Sequence, residues 1–222
     1  MASAEDRLAG HPDRQRWNER YSAGLTPSFE PHPLAVRALA LGLPAGSVAD
    51  LACGPSGSAL LAAQAGRRVT AVDVSDVALA MLRAEAQRHG LAELITLVHA
   101  DLSGWRPAAG GYALVLCTGY WDRALFTVAA GAVRPRGALG WEAFTTAALR
   151  ERPGLCPDWC LGPGEPAVLL PPGFQVVADE PAGQGSRRRL LARLGSSAPA
   201  VRLSRPRGAA AAVREGAATG TT

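Results

Sequence analysis

The sequence predicts a doubly wound α/β domain, and three observations support this prediction. Short apolar runs typical of buried parallel strands recur at 48–51, 69–72, 95–98 and 112–117. Helix-like segments lie between them, and the one that follows Ser75, a residue type favoured at helix N-caps, ends at His89-Gly90, a common C-terminal pair. The links between these segments are short. Strands and helices that alternate in this way form a mainly parallel sheet with helices on both faces.

The remaining segments extend the same domain. Further elements are predicted as helices at 12–21, 34–41, 58–65 and 123–133, a fifth strand at 137–144, and two late strands at 174–178 and 188–194 that form an edge hairpin. Residues 151–173, rich in proline and glycine, form an ordered insert. The chain thus divides into a disordered N-terminus (1–11), one domain (12–195) and a tail (196–222) whose composition cannot offset the entropy of ordering.

Composition and charge narrow the class of protein. The formal charge of +4 comes mostly from residues 196–222, which hold four arginines and one glutamate, and the chain has no lysine. A nearly neutral domain argues against nucleic-acid binding. No apolar run of membrane-spanning length and no signal-peptide pattern is visible, so we expect a cytoplasmic protein with no membrane partner. Cys156 and Cys160 have no neighbouring cysteine pair or histidine cluster, so no metal site is predicted.

The first strand ends in an acidic residue and a glycine-containing loop, Asp50-Leu-Ala-Cys-Gly54-Pro-Ser-Gly57. Dinucleotide-binding loops present backbone N–H groups to a pyrophosphate, which a carboxylate would repel. A ligand with a cationic amino-acid end and no phosphate tolerates Asp50, and S-adenosylmethionine fits that description. Asp50 contacts the ammonium group of such a ligand or caps the loop. Gly54 lies beneath the amino-acid end of the ligand or is an ordinary turn glycine.

The second and third strands also end in acidic residues. Asp73 can accept hydrogen bonds from both hydroxyls of a ribose, or it can cap the following helix. In the first case Val74 would pack on the adenine face. Asp101 can accept a hydrogen bond from the adenine amino group, with Leu102 as the backbone partner, or it can serve as a turn residue.

These motifs, together with Val69-Thr-Ala-Val-Asp73-Val-Ser75 and Ala100-Asp101, resemble the class I S-adenosylmethionine-dependent methyltransferases over about residues 12–195. The resemblance implies a Rossmann-like sheet of seven strands, mainly parallel, with its last strand antiparallel. It also implies a cofactor site that includes Ala52 and Cys117. Ala52 stands where the family often has glycine, and Ser56 replaces a second glycine, where an unusual backbone conformation would be strained.

Two segments resemble the small tellurite-resistance and thiopurine-type methyltransferases. They are Trp17-Asn-Glu-Arg-Tyr21 and Arg187-Arg-Arg-Leu-Leu-Ala-Arg193. In those relatives an N-terminal helix closes over the ligand. The resemblance therefore implies that Arg20 binds the methionine carboxylate, unless Arg20 is a surface residue.

The loop Cys117-Thr-Gly-Tyr-Trp-Asp-Arg123 closes the fourth strand and should line the reactive centre, because ligands bind beyond the carboxyl ends of such strands. No catalytic residue is assigned, and the candidates are Tyr120, Asp122, Arg123 and Glu142. Trp121 either contacts the substrate or anchors the core. Arg123 either pairs with Asp122 or holds an anionic substrate. In the loop before the second helix, Phe29 and His32 can wall the pocket, and His32 fits a helix start better than a base.

The sequence therefore predicts a methyltransferase that uses S-adenosylmethionine and acts on a small-molecule acceptor. A soft nucleophile such as a thiolate, selenite or tellurite needs mainly proximity, whereas an oxygen or nitrogen acceptor would need His32, Asp122 or Glu142 as a base. A non-catalytic protein that binds S-adenosylmethionine or S-adenosylhomocysteine is the alternative. An NAD-dependent oxidoreductase is disfavoured by Asp50. The sequence gives no indication of oligomeric state.

Overall fold

The computed structural model describes residues 8–24 and 26–196, and these contain the predicted α/β sheet. The strands are β1 (Ser47–Leu51), β2 (Val69–Asp73), β3 (Ile95–His99), β4 (Tyr112–Thr118), β5 (Val133–Thr145), β6 (Cys160–Leu161), β7 (Phe174–Ala182) and β8 (Arg187–Leu194). The helices are α1 (Pro12–Ser22), α2 (Pro33–Leu39), α3 (Gly57–Gln64), α4 (Asp76–Arg88), α5 (Arg123–Ala132) and α6 (Ala148–Glu151).

The strand order is β3-β2-β1-β4-β5-β8-β7, and β6 pairs with β5 outside this order. Strands β1 to β5 are mutually parallel, whereas β8 runs antiparallel to both β5 and β7. The edge hairpin and the antiparallel last strand are therefore confirmed. Because the order reverses at β1, the loops after β1 and β4 lie on either side of a crevice, where such sheets bind ligands.

The sheet has eight strands where the resemblance implied seven. The additional strand, β6, comes from the insert and pairs Cys160 with Phe144 and Leu161 with Thr145. Strand β5 extends to Thr145, which leaves backbone groups at its end that the two residues of β6 can satisfy. The insert is thus joined directly to the sheet.

Two apolar cores lie on the two faces of the sheet. One contains α5 and three large aromatic residues, Trp121, Phe126 and Trp141. The Phe126 and Trp141 rings meet edge to face, with centroids 5.2 Å apart. The other core contains α2, α3 and α4, with Leu34 and Leu82 almost fully buried. The two cores fix the carboxyl ends of the strands as a rigid base.

Residues 8–11 differ from the predicted disordered N-terminus. Leu8 is buried, and His11 caps α1 by accepting a hydrogen bond from the Asp13 N–H on Nδ1 at 3.2 Å. One apolar anchor and one cap therefore order this short segment. The predicted disorder of residues 1–7 and of the tail beyond residue 196 lies outside the described residues.

The longest helix in the described part of the chain, α4, has 13 residues. None of the described helices combines the length and the apolar character that crossing a membrane requires.

Candidate functional site

The carboxyl ends of three adjacent strands bring together the acidic residues that the sequence singles out. Asp50 lies in β1, Asp73 ends β2, and Asp101 follows β3. The side chains of Asp50 and Asp73 are buried, with 2% and 7% of their surface exposed, and Asp101 is half-buried. These three predicted cofactor residues therefore share one edge of the sheet.

Asp73 fastens the loop after β1 to the loop after β2. Its Oδ2 accepts a hydrogen bond from the Gly54 N–H at 2.8 Å, and its Oδ1 accepts one from the Ser75 N–H at 2.8 Å. Burial raises the pKa of Asp73, although these hydrogen bonds oppose the shift. Each carboxylate oxygen has a second lone pair, so Asp73 retains the capacity to accept two further hydrogen bonds.

Asp50 lies at the base of the same loop. Ser56 Oγ donates a hydrogen bond to its Oδ2 at 2.5 Å. Burial raises the pKa of Asp50 to about 6, and the negative charge of Asp73 adds to the shift, whereas Ser56 and His32 oppose it. A cation bound beside Asp50 would stabilise its ionised form.

The backbone of this loop places strain at Ala52 and leaves Ser56 unstrained. Ala52 has φ of 48° and Gly54 has φ of 57°, in the left-handed region that favours glycine. Ser56 has φ of −91° and is the N-cap of α3, where its Oγ accepts a hydrogen bond from the Ala59 N–H at 3.0 Å. Ser56 is therefore a normal cap that also holds Asp50.

The loop before α2 packs against the start of α3. A Cβ atom at Gly57 would lie 2.1 Å from the Phe29 carbonyl oxygen, so only glycine allows this approach. The His32 N–H also donates a hydrogen bond to Ser58 Oγ at 3.1 Å. The close contact carries Phe29 and His32, the two predicted wall residues, to the edge of the sheet.

Asp101 caps a short 3-10 turn. It accepts hydrogen bonds from the Ser103 N–H at 2.9 Å and from Ser103 Oγ at 2.5 Å, and His11 Nε2 lies 3.6 Å from its Oδ2. Burial raises the pKa of Asp101, but the contacts with Ser103 and His11 lower it below its usual value overall. The structure thus shows Asp101 as the capping residue of this turn. Leu102 is buried and Val74 is half-buried, and the ligand contacts of all three stay predictions.

Helix α1 is bound to the start of α4. Arg14 Nε and Asn18 Nδ2 donate hydrogen bonds to Asp76 Oδ1 at 2.7 and 2.8 Å. Ser75, the N-cap of α4, donates from its Oγ to Asn18 Oδ1 at 2.6 Å. The hydrogen bond from Arg14 holds the pKa of Asp76 well below its usual range.

The last turn of α1 covers the loop after β1. A Cβ atom at Gly54 would lie 2.9 Å from the Tyr21 hydroxyl oxygen. Burial, together with the charge of Asp73, raises the pKa of Tyr21 to about 12. Tyr21 stacks on Trp17, with ring centroids 5.8 Å apart, and the exposed Arg20 lies 5.3 Å from the Trp17 ring centroid. Tyr21, more than Arg20, is the residue of this helix that lies against the site.

The loop after β4 is held by hydrogen bonds to one backbone carbonyl. The Tyr120 carbonyl oxygen accepts from Trp141 Nε1 at 3.0 Å and from Cys117 Sγ at 3.6 Å. Burial raises the pKa of the Cys117 thiol well above its usual value, so it is a neutral group. Trp121 is buried, with its ring centroid 6.1 Å from that of Trp141, and thus anchors the core.

Asp122 and Arg123 have structural partners. Asp122 is the N-cap of α5, and its Oδ1 accepts from the Leu125 N–H at 2.6 Å. Arg123 does not pair with Asp122. Instead its Nε and Nη2 donate to the two carboxylate oxygens of Glu165 at 2.7 and 3.0 Å. Glu165 also accepts from the Gly162 N–H at 2.8 Å, so Arg123 connects α5 to the insert.

Glu142 lies buried at the centre of a charged cluster. Arg187 Nη1 donates to its Oε1 at 2.9 Å, Arg189 Nε donates to its Oε2, and His32 Nε2 lies 3.2 Å from Oε2. His32 Nδ1 accepts from the Leu34 N–H at 3.2 Å, which places the imidazole proton on Nε2. Burial opposes ionisation, but His32 and the two arginines lower the pKa of Glu142 to about 2. Glu142 is therefore unsuited to act as a base near neutral pH.

The site contains residues that the sequence reasoning missed. Arg187 and Arg189 alternate along β8, and this period of two would have placed them on one face of the strand. The sequence allows Ser56 to be recognised as a helix cap, but it does not indicate the hydrogen bond from Ser56 to Asp50. Glu165 gave no local signal, because its partner Arg123 lies 42 residues away.

Known proteins resemble this chain in sequence and in fold. Residues 48–137 match a family model described as a methyltransferase domain. The chain is similar to a structure from work on the conversion of a disulfide bond into a thioacetal group during echinomycin biosynthesis, with 22% identity over 83% of this chain and 94% of that chain and a TM-score of 0.59. A comparison with curated protein sequences found no match.

Two further structural matches come from named organisms. An S-adenosylmethionine-dependent methyltransferase from Mesorhizobium loti shares 19% identity over 72% of this chain and 97% of that chain, with a TM-score of 0.57. A geranyl diphosphate C-methyltransferase from Streptomyces coelicolor, solved with Mg²⁺, geranyl diphosphate and S-adenosylhomocysteine, shares 14% over 89% of each chain, with a TM-score of 0.56. Residues 48–137 therefore match a methyltransferase domain, and the chain has the class I fold seen in S-adenosylmethionine-dependent methyltransferases.

Proposed function

We propose that the protein binds S-adenosylmethionine at the carboxyl edge of β1, β2 and β3 and transfers its methyl group to a small-molecule acceptor. The observation that carries this proposal is the position of Asp73. Its carboxylate ends β2, joins the two neighbouring loops and keeps two lone pairs for the ribose hydroxyls. The bound S-adenosylhomocysteine of the geranyl diphosphate C-methyltransferase supports the same cofactor.

Neighbouring residues would bind the other parts of the cofactor. The buried Asp50 carboxylate favours a cationic ammonium group, and the Gly54 backbone allows close approach of the amino-acid end. Val74, Asp101 and Leu102 lie after β2 and β3, where the adenine would extend. A dinucleotide would instead place its pyrophosphate at the loop after β1, beside the negative charge of Asp50, which disfavours an NAD-dependent oxidoreductase.

The four candidate catalytic residues favour an acceptor that needs no strong base. Burial raises the pKa of the Tyr120 hydroxyl to about 12, and the pKa of Glu142 is about 2. Asp122 caps α5, and Arg123 is paired with Glu165. A thiolate or another soft anion reacts with the electrophilic sulfonium when it is held in line, so proximity supplies most of the catalysis. We therefore propose that the methyl acceptor reacts through a soft nucleophilic atom.

Product formation tests this proposal. Purified protein is incubated with S-adenosylmethionine and a panel of thiols, selenite, tellurite, phenols and amines, and S-adenosylhomocysteine is measured by mass spectrometry. We expect product with at least one soft nucleophile and none with Asp73→Asn. Methylation of amines or phenols alone would overturn the soft-nucleophile assignment. Binding of S-adenosylmethionine without product from any acceptor would favour the non-catalytic alternative.

A further inference from the structure

Three arginines surround the end of β5 on one face of the sheet. The antiparallel register places Arg189 opposite Glu142 and Arg187 opposite Phe144. Residues two apart on a strand share a face, so Glu142 and Phe144 point the same way, as do Arg187 and Arg189. Arg152, which follows α6, adds its guanidinium 4.9 Å from the Phe144 ring centroid. We name Arg152, Arg187 and Arg189 the arginine cluster.

The arginine cluster carries more positive charge than its surroundings neutralise. Arg187 also lies over the Phe144 ring, at 4.2 Å, so its guanidinium carbon and that of Arg152 are at most about 9 Å apart. Glu142 is the one carboxylate within ion-pair distance of Arg187 and Arg189, and Arg152 has none among residues 8–24 and 26–196. Arg187 and Arg189 therefore share one carboxylate, and Arg152 adds a third positive charge beside them.

Part of this excess charge is shielded from water. The side chains of Arg187 and Arg189 are only 31% and 28% exposed. Like charges repel more strongly when solvent screening is reduced, so an added anion would relieve the repulsion. Guanidinium groups bind carboxylates and other oxyanions through paired N–H donors, which makes arginine the residue type suited to this ligand.

The arginine cluster adjoins the place where the acceptor must lie. The Glu142 carbonyl oxygen accepts a hydrogen bond from the Gly119 N–H at 2.8 Å, which joins the cluster to the loop after β4. His32 contacts Glu142 from the side of the loop before α2. The cluster is therefore at the carboxyl edge of β5, next to the loop expected to line the reactive centre.

We infer that the methyl acceptor is an anion whose carboxylate or other oxyanion group binds to the arginine cluster, with Arg152 and Arg187 as the principal contacts. This inference rests on the proposed function and specifies the class of its acceptor. Arg187 and Arg189 each donate one hydrogen bond to Glu142, and Arg187 also lies beside Arg152 at the Phe144 ring, whereas Arg189 contributes positive charge. Arg152 belongs to neither β5 nor β8, so it is not needed to hold these two strands together. Its presence beside Arg187 is therefore better explained by ligand binding than by a structural role.

A matched pair of probes tests the inference. Benzoate and benzamide have the same ring and differ in charge, and inorganic phosphate is a free oxyanion. Each is titrated into the full chain saturated with S-adenosylhomocysteine, and binding is followed by the NMR signals of the arginine Nε–H groups. We expect millimolar binding of benzoate and at least about tenfold weaker binding of benzamide. Phosphate that binds more tightly than benzoate would assign the site to an inorganic oxyanion acceptor.

Variants separate a binding role from a structural one. Arg152→Gln and Arg187→Gln should each weaken benzoate binding at least about tenfold, Arg187→Lys should retain part of it, and Arg150→Gln, an exposed residue of α6, should leave it unchanged. Equal binding of benzoate and benzamide, unaltered binding in both glutamine variants, or no binding up to about 50 mM would overturn the inference. The affinity for S-adenosylhomocysteine is measured for every variant, and an unchanged value shows that the variant is folded. If the wild type itself does not bind S-adenosylhomocysteine, the proposed function fails, whatever the result with benzoate.

Discussion

At the scale of single residues, burial acts on two carboxylates with opposite results. The pKa of Asp50 rises to about 6, because burial and Asp73 outweigh the contacts with Ser56 and His32. The pKa of Glu142 falls to about 2, because His32 and two arginines outweigh the burial. Asp50 is thus a costly anion that a cationic ligand would stabilise, whereas Glu142 is already neutralised by the protein.

Asp50→Asn should make the protein more stable and a weaker binder. The pKa of Asp50 in the folded state, about 6, lies above its unfolded value of 3.8. Ionisation of Asp50 therefore lowers the free energy of unfolding progressively as the pH rises from about 4 to about 6. At pH 7.5 the asparagine variant should gain about 1–2 kcal/mol in the free energy of unfolding. Its affinity for S-adenosylmethionine should fall about tenfold.

Urea unfolding at pH 5 and 7.5, together with calorimetric titration, measures both effects. The stability gain should be smaller at pH 5, where Asp50 is mostly protonated. Asp158→Asn, at an exposed position of the insert, serves as the control and should change neither quantity. An Asp50→Asn protein that is less stable at pH 7.5, or that binds S-adenosylmethionine as tightly as the wild type, contradicts this account.

At the scale of elements, the junction between the loop before α2 and the start of α3 is the most sensitive to added volume. Gly57→Ala would place a Cβ atom 2.1 Å from the Phe29 carbonyl, and backbone must move to relieve the clash. We expect a loss of about 2–3 kcal/mol in the free energy of unfolding. Thermal and urea unfolding provide the measurement.

The matched control for this variant is Gly131→Ala. Gly131 lies in α5 with open space where a Cβ would stand, so alanine there should stabilise the helix by up to about 1 kcal/mol. A lower free energy of unfolding for Gly57→Ala together with a higher one for Gly131→Ala would support the close contact at Gly57. A Gly57→Ala protein as stable as the wild type would show that the loop before α2 does not pack in this way.

The elements differ in how well the sequence predicts them. Strands β1 to β4 are evident as apolar runs, because parallel strands buried on both faces need them. Strand β6 has two residues, and its pairing depends on how far β5 extends, so no local pattern indicates it. Caps such as Asp122 and His32 are predictable because they bond to backbone only two or three residues away. The Arg123–Glu165 pair is not, because it joins distant segments.

At the scale of the whole molecule, two separate segments are joined above the carboxyl edge of the sheet. The Arg16 guanidinium lies 5.4 Å from the Trp17 ring centroid in α1 and 4.6 Å from that of Trp159 in the insert. The insert is also held to α5 through Glu165. An edge covered in this way suits a small molecule better than an extended polymer, which agrees with the acceptor class proposed above.

The most direct test of the central claim is calorimetric titration of the protein with S-adenosylmethionine, S-adenosylhomocysteine and NADH. We predict micromolar dissociation constants for the first two ligands and no binding of NADH. Asp73→Asn should weaken both by at least about tenfold, because it loses charged hydrogen bonds to the ribose. Binding of NADH alone, binding of neither sulfur ligand, or unchanged affinity in a folded Asp73→Asn variant would contradict the proposed cofactor site.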